Sequence, residues 1–293
     1  MSRVDPGQNK VRFVAEVSSN HNRDLNRCMK FIDKAAEIGC DAVKFQLFKT
    51  EELFAPEVLA THPEVKGRKG WELPVSFLVE LSKRCKDKGI EFSCTPFYLE
   101  AIEELLPYVD FFKIASYELL WKDLLVYCAR TGKPVVLSTG MADMDEIREA
   151  VSILQSAGCQ NLVLLHCVSG YPAPPTECNL AAIETLSNVF NVSVGWSDHS
   201  VSRAVIHRAV HRWDACMVEF HMDLEGEGEE YSTGHCWLPG QMADVIREIR
   251  LGFQADGTGK KEPAPSELSD RDWRADPVDG LRPLKKVREG LDG

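Results

Sequence analysis

Eight short β-prone runs recur along this chain, and a stretch with helical apolar periodicity follows each of them. The runs are 12–18 (RFVAEVS), 42–48 (AVKFQLF), 91–97 (EFSCTPF), 111–116 (FFKIAS), 134–139 (PVVLST), 162–169 (LVLLHCVS), 191–198 (NVSVGWSD) and 215–222 (ACMVEFHM). Helices are expected near 24–38, 74–88, 99–106, 119–131, 143–157, 179–188, 201–212 and 239–252. Boundary chemistry agrees. Asp143 and Asp145 stand before Glu146-Ile147-Arg148 as capping residues do, and Lys88-Gly89 and Ala157-Gly158 place a glycine where a helix must stop. Eight strand-then-helix units in about 240 residues match the usual size of a (β/α)8 barrel, roughly 250. The rival, an open doubly wound sheet, would carry Gly-x-Gly-x-x-Gly after its first strand, and this chain does not. The expected fold is therefore α/β, a (β/α)8 TIM barrel over 1–253. A polar, Pro/Gly-rich linker begins at Gln254, and the tail to 293 is too short for a core of its own, so 254–293 is expected to pack on the barrel or on a neighbouring subunit.

Such barrels collect their sites at the C-terminal ends of the strands. Those ends are polar here: Glu16, Lys44 with Gln46, Ser93 with Thr95, Lys113 with Ser116 and Glu118, Ser138 with Thr139, His166 with Ser169, Ser197-Asp198-His199, and Glu219 with His221. Serines mark strand ends for local hydrogen-bonding reasons alone. Lysines inside apolar runs do not. Desolvating an ammonium costs several kcal/mol, so Lys44 and Lys113 need a carboxylate such as Glu16 or Glu219, or an anionic ligand. With the hydroxyls of Ser116, Ser138 and Ser197, the second option is a site for phosphate or phosphate plus carboxylate. His199 and His221 end adjacent strands, and two imidazoles with oxygen ligands favour Mn²⁺, Fe²⁺ or Co²⁺ over a closed zinc site. Asp198 is a candidate further ligand or orienting partner. Glu118 stands where a general base beside the anion belongs, and equally where a carboxylate steadies a helix N-terminus.

Composition narrows the partners. With 34 basic and 45 acidic residues the formal charge is −11, which opposes broad attraction to nucleic acid or anionic membranes. No apolar run approaches spanning length and 1–8 carries no export core, so the expectation is a cytoplasmic protein. The ten cysteines are scattered without a CxxC pair and read as small buried hydrophobes in a reducing compartment.

Specific motifs go further. VAEVSSNHN (14–22), VKFQLFKTEELF (43–54), SCTPF (93–97), FKIASYE (112–118), VVLSTGMA (135–142), LLHCVSGYPAP (164–174), GWSDHS (195–200) and EFH (219–221) resemble, in order and across 12–250, the sialic acid (N-acetylneuraminate) synthase family. These are phosphoenolpyruvate-condensing (β/α)8 enzymes that make nonulosonic acids. The resemblance implies that Lys44, Lys113, Ser116, Ser138 and Ser197 hold phosphoenolpyruvate and that Glu118 activates water. It implies that His199 and His221 bind Mn²⁺, with Mg²⁺ or Co²⁺ as alternatives, to polarise the aldehyde of an aldose such as N-acetylmannosamine. Glu16, Gln46, Thr95, Phe97 and Tyr171 match sugar-contacting or pocket-lining positions, Ser169 takes a substrate-side place where asparagine is common, and a homodimer is implied.

The sequence departs from the family on the sugar side. Family members carry a C-terminal antifreeze-like domain whose arginine enters the neighbour's sugar pocket; these 293 residues read as a short form, with Arg271 or Arg274 of the tail as the expected substitute. Tyr117 replaces a usual glycine. A Pro-Gly-Pro-Asp-like stretch is replaced by the acidic run 223–231, which is expected to recognise the substrate, to add metal ligands, or simply to be solvated. Two other readings stay open beside the synthase: a barrel aldolase or lyase on another phosphorylated or pyruvyl substrate, and a non-catalytic sugar- or phosphate-binding relative.

Overall fold

A computed structural model describes residues 11–290; the expectation for 1–8 lies outside them. Each of the eight β-prone runs contains one strand: β1 (Arg12–Glu16), β2 (Ala42–Leu47), β3 (Glu91–Pro96), β4 (Phe111–Ile114), β5 (Val135–Ser138), β6 (Leu162–Cys167), β7 (Ser193–Asp198) and β8 (Met217–His221). All neighbours are parallel and follow sequence order, and β1 pairs with both β2 and β8, so the sheet is a closed barrel rather than an open one.

Parallel neighbours need crossover connections, and helices supply them. Eight helices follow the strands in turn: α1 (Leu25–Glu37), α2 (Leu78–Lys88), α3 (Glu100–Leu105), α4 (Lys122–Arg130), α5 (Met144–Ser156), α6 (Ala182–Phe190), α7 (Arg203–His211) and α8 (Pro239–Asp256). The Asp143 carboxylate accepts from the amides of Asp145 and Glu146 at 2.9 Å, and Glu146 accepts from the Asp143 amide, which closes a capping box on α5. α2 ends on Gly89 in the left-handed region. The connection from β2 to α2 differs from expectation: it carries short helical turns at Thr50–Leu53, Pro56–Thr61 and Pro63–Trp71. None is long enough to impose a readable apolar period.

Side-chain parity inside the barrel explains where the site lies. Val14, Ala42, Phe111, Val136, Leu165 and Met217 form one buried apolar cluster. Two residues further along each of those strands stand Glu16, Lys44, Lys113, Ser138, Cys167 and Glu219. Because side chains alternate with period two, the second set points the same way as the first, one step nearer the strand C-termini. An apolar floor thus carries a polar layer directly above it.

The chain divides into two compact units, Met1–Arg250 and Leu251–Gly293. Within the second, local bonds organise the turns: the Asp276 carboxylate accepts from the amides of Val278 and Lys285 at 2.9 and 2.7 Å, and Leu284 donates to the Asp272 carbonyl. Among the described residues no helix is long and apolar enough to cross a membrane.

Candidate active site

Both barrel lysines are almost fully buried, and each has a carboxylate. Lys44 Nζ lies 2.6 Å from Glu16 Oε2 and 3.7 Å from Glu219 Oε1, and it also contacts Thr95 Oγ1 at 3.3 Å. Lys113 Nζ lies 3.3 Å from the same Glu219 oxygen. Burial alone would lower the Lys44 ammonium, but Glu16 and Glu219 outweigh it and hold it above its ordinary value. Burial wins at Lys113, which sits below its ordinary value despite Glu219. The carboxylate alternative for the lysines is therefore realised, and the anion alternative is not displaced by it: both ammoniums still open onto one cavity of about 720 Å³.

Gln46, Phe97, Ser116, Glu118, Ser138, Tyr171, Ser197, His199 and His221 line the same cavity. Three sequence candidates are set back from it. Glu16 is held by Gln46 Nε2 at 2.6 Å and Thr95 by Lys44, so both position that lysine. Ser169 lies beside Gly140, where a Cβ would press on the hydroxyls of Ser169 and Ser116 and force them to turn aside. On the cavity itself, Ser138 Oγ and one Glu118 oxygen are buried with no protein partner, as expected of groups that await a ligand.

Glu118 follows β4 on a tight turn, Ser116–Glu118, whose Ser116 hydroxyl accepts from the Gly140 amide at 3.0 Å. Burial raises its carboxyl to about 7, with Lys113 pulling the other way. A carboxylate poised there accepts a proton readily near neutral pH.

The imidazoles of His199 and His221 lie 5.3 Å apart, centroid to centroid, with Tyr171 packed on His199 at 4.3 Å. His199 Nδ1 lies 2.8 Å from the Val168 carbonyl, which can only accept, so that nitrogen carries the proton and Nε2 keeps its lone pair. This is the arrangement by which backbone oxygens orient metal-binding histidines, and the donor set fits a divalent ion. Asp198 is a correction to the sequence reading. Its parity turns it away from the cavity, and its carboxylate accepts from the indoles of Trp196 and Trp237 at 2.9 Å and from Ser200 Oγ at 2.6 Å. It fastens β7 to the start of α8 and is no ligand. His166, likewise, contacts the Cys178 carbonyl outside the barrel.

Sequence reasoning took Glu230 only as one of the acidic run 223–231 and missed His235. Both line the cavity, delivered by the acidic stretch after β8. Burial would raise the Glu230 carboxyl, but the imidazoles of His221 and His235 facing it hold it far below the usual carboxylate range.

The NeuB family profile matches residues 31–261. The chain belongs to the NeuB family. Among relatives, this NeuB protein is 37% identical over 257 residues to an uncharacterized protein of Methanocaldococcus jannaschii, covering 87% of this chain and 74% of that one. It is 35% identical to the N,N'-diacetyllegionaminic acid synthase of Campylobacter jejuni, covering 88% and 81%. Among solved structures it resembles the N-acetylneuraminic acid synthetase of Leptospira borgpetersenii in complex with citrate, at TM-score 0.79 and 33% identity, over 89% of this chain and 90% of that one. Two of these NeuB relatives are thus named as a synthase of N,N'-diacetyllegionaminic acid and a synthetase of N-acetylneuraminic acid.

Proposed function

We propose that this NeuB protein condenses phosphoenolpyruvate with an open-chain 2-acetamido aldose, N-acetylmannosamine or a close relative, to give a nonulosonic acid and phosphate. The observation that carries the reading is convergence: Lys44, Lys113, Glu118, His199 and His221 come from four different strands or strand ends and open onto one cavity. Three hydroxyls beside them, from Ser116, Ser138 and Ser197, supply neutral donors for an enol phosphate. A homodimer belongs to the same reading and rests on the family resemblance.

The lysines offset the charge of phosphate and carboxylate, already aimed by Glu16 and Glu219 before substrate arrives, so little reorganisation accompanies the reaction. C3 of the enol phosphate attacks the aldehyde carbon, and the aldehyde oxygen takes up a proton. Water then adds to C2 and gives its proton to Glu118. The resulting hemiketal phosphate breaks its C2–O bond, phosphate leaves with that oxygen, and loss of the hydroxyl proton completes the ketone. A divalent ion held by His199 and His221 would supply Lewis acidity at the aldehyde oxygen. Tyr171 and Phe97 line the same cavity and offer apolar faces to the sugar.

The test is phosphate release from the purified protein with phosphoenolpyruvate, a panel of 2-acetamido aldoses and Mn²⁺. Release that needs all three components supports the reading; release from phosphoenolpyruvate alone, or none with any aldose, rejects it.

A further inference from the structure

The acidic stretch after β8 is a built loop. Its neck is closed by Trp237 N donating to His221 O at 2.8 Å and Asp223 N donating to Trp237 O at 3.0 Å. Asp223 is fully buried, and its carboxylate accepts from the amides of Leu224, Gly226, Glu227 and Gly228 at 2.7 to 3.1 Å. Arg27 closes the set at 3.3 Å. A Cβ at Gly228 would stand 3.0 Å from Asn20 Oδ1 and 3.1 Å from Asp223 Oδ2, so this turn is tight enough to favour glycine. The loop therefore returns Glu230 and His235 to the end of β8, over His221.

Their hydrogen bonds fix which atoms face each other. Glu230 Oε1 accepts from Ser19 N and Oγ at 3.1 and 2.5 Å, which leaves Oε2 turned toward His221 Nδ1 at 3.1 Å and His235 Nε2 at 3.5 Å. The Thr233 hydroxyl gives its single proton to the Glu230 carbonyl at 2.7 Å, so its contact with His235 Nδ1, also 2.7 Å, needs the proton on that nitrogen. A neutral His235 then presents its Nε2 lone pair to a carboxylate oxygen. Two acceptors at that distance repel unless a cation or a proton sits with them. His221, Glu230, His235 and Cys236 each bring one ligand atom to within 4.8 Å of the others.

We infer that Glu230 and His235 join His221 as protein ligands of one divalent ion, a two-histidine, one-carboxylate set facing His199 across the cavity mouth. Two imidazole nitrogens and a carboxylate select first-row transition ions such as Mn²⁺, Fe²⁺ or Co²⁺ over Mg²⁺. The inference deepens the proposed synthase by adding two loop residues to its metal side. The acidic loop, on this account, holds metal rather than sugar.

The test reads metal binding without substrate. Full-length protein stripped with EDTA is titrated with Mn²⁺, and free ion is followed by its electron paramagnetic resonance signal. Glu230→Gln, which keeps a polar group against Ser19, and His235→Gln should each weaken Mn²⁺ by about 100-fold, with circular dichroism unchanged. Thr233→Val, at an exposed position, removes only the hydroxyl that orients His235 and should weaken Mn²⁺ roughly 10-fold, as loss of an orienting partner does. Glu229→Gln, on the exposed face of the same turn, should bind as the parent does. Undiminished Mn²⁺ affinity in Glu230→Gln and Thr233→Val overturns the inference while leaving the synthase reading intact. Weakened binding in both, in a protein that condenses no aldose, upholds the metal site and removes the synthase.

Discussion

Lys113 on β4 and Glu219 on β8 meet across the barrel interior, Nζ to Oε1 at 3.3 Å, although their strands lie on opposite sides of the eight-stranded ring. The same carboxylate oxygen lies 3.7 Å from Lys44. One glutamate thereby fixes two ammoniums above the apolar floor. Burial would raise the Glu219 carboxyl, but Lys113 and Lys44 outweigh burial and hold it below its ordinary value. The polar layer is charge-balanced and positioned without substrate.

Replacing Lys113 with Met separates its two roles. It leaves Glu219 with the more distant Lys44 alone, and breaking a buried pair in this way is expected to destabilise the fold by about 3 kcal/mol. Lys113→Met with Glu219→Gln should recover most of that loss in urea denaturation. Phosphoenolpyruvate binding by calorimetry should stay at least about 100-fold weaker in both, since ~2.7 kcal/mol of charge-assisted contact is gone.

Glu118 sets a pH dependence in rate and in stability. In the proposed reaction the ionised carboxylate takes the proton of the attacking water, so turnover should rise with pH through about 7, where burial has moved the carboxyl. Glu118→Gln should lower the rate by about 10²- to 10⁴-fold and remove that acid limb. For stability the sign follows from a raised carboxyl: the folded state binds the proton more tightly than the unfolded one. Stability from this group is full below the ordinary value of 4.5 and is lost as pH rises to about 7. At pH 8, Glu118→Gln should therefore be more stable than the parent by about 3 kcal/mol, at ~1.4 kcal/mol per tenfold change in proton affinity, and the gap should close below pH ~4.5.

The loop makes its own prediction through Asp223. Asp223→Asn keeps the size but replaces one acceptor oxygen with a donor that faces backbone amides. Leaving such buried groups unpaired costs about 1–3 kcal/mol. Thermal unfolding should shift down by several degrees, and Mn²⁺ affinity should fall with it, because Glu230 and His235 are carried by this loop. An unchanged affinity would detach the loop from the metal side.

The barrel was readable because each strand run announces its own period and each helix carries start and stop residues, as at Asp143 and Gly89. Lys44 and Lys113 were readable because a charged side chain inside an apolar run is costly to bury unless a partner or a ligand meets it, and His199 and His221 because they end adjacent strands. Asp198 was misread because its partners, the indoles of Trp196 and Trp237, are separated in sequence and its own side of β7 could not be assigned without the register. Glu230 and His235 were hidden by a segment with no period at all. Their placement depends on one carboxylate gathering four amides and on a neck closed by Trp237, a residue well beyond the charge run. The visible signal was Gly234-His235-Cys236-Trp237, a histidine leading into an apolar stretch a few residues after the acidic run.

The central claim is that water, guided by Glu118, adds to C2 of an enol phosphate held by Lys44 and Lys113. Turnover of phosphoenolpyruvate labelled with ¹⁸O at the bridging oxygen tests it directly. The account predicts that the label leaves entirely in inorganic phosphate while the product's C2 oxygen comes from solvent; label retained on the sugar acid would mean that the P–O bond breaks instead and would contradict it.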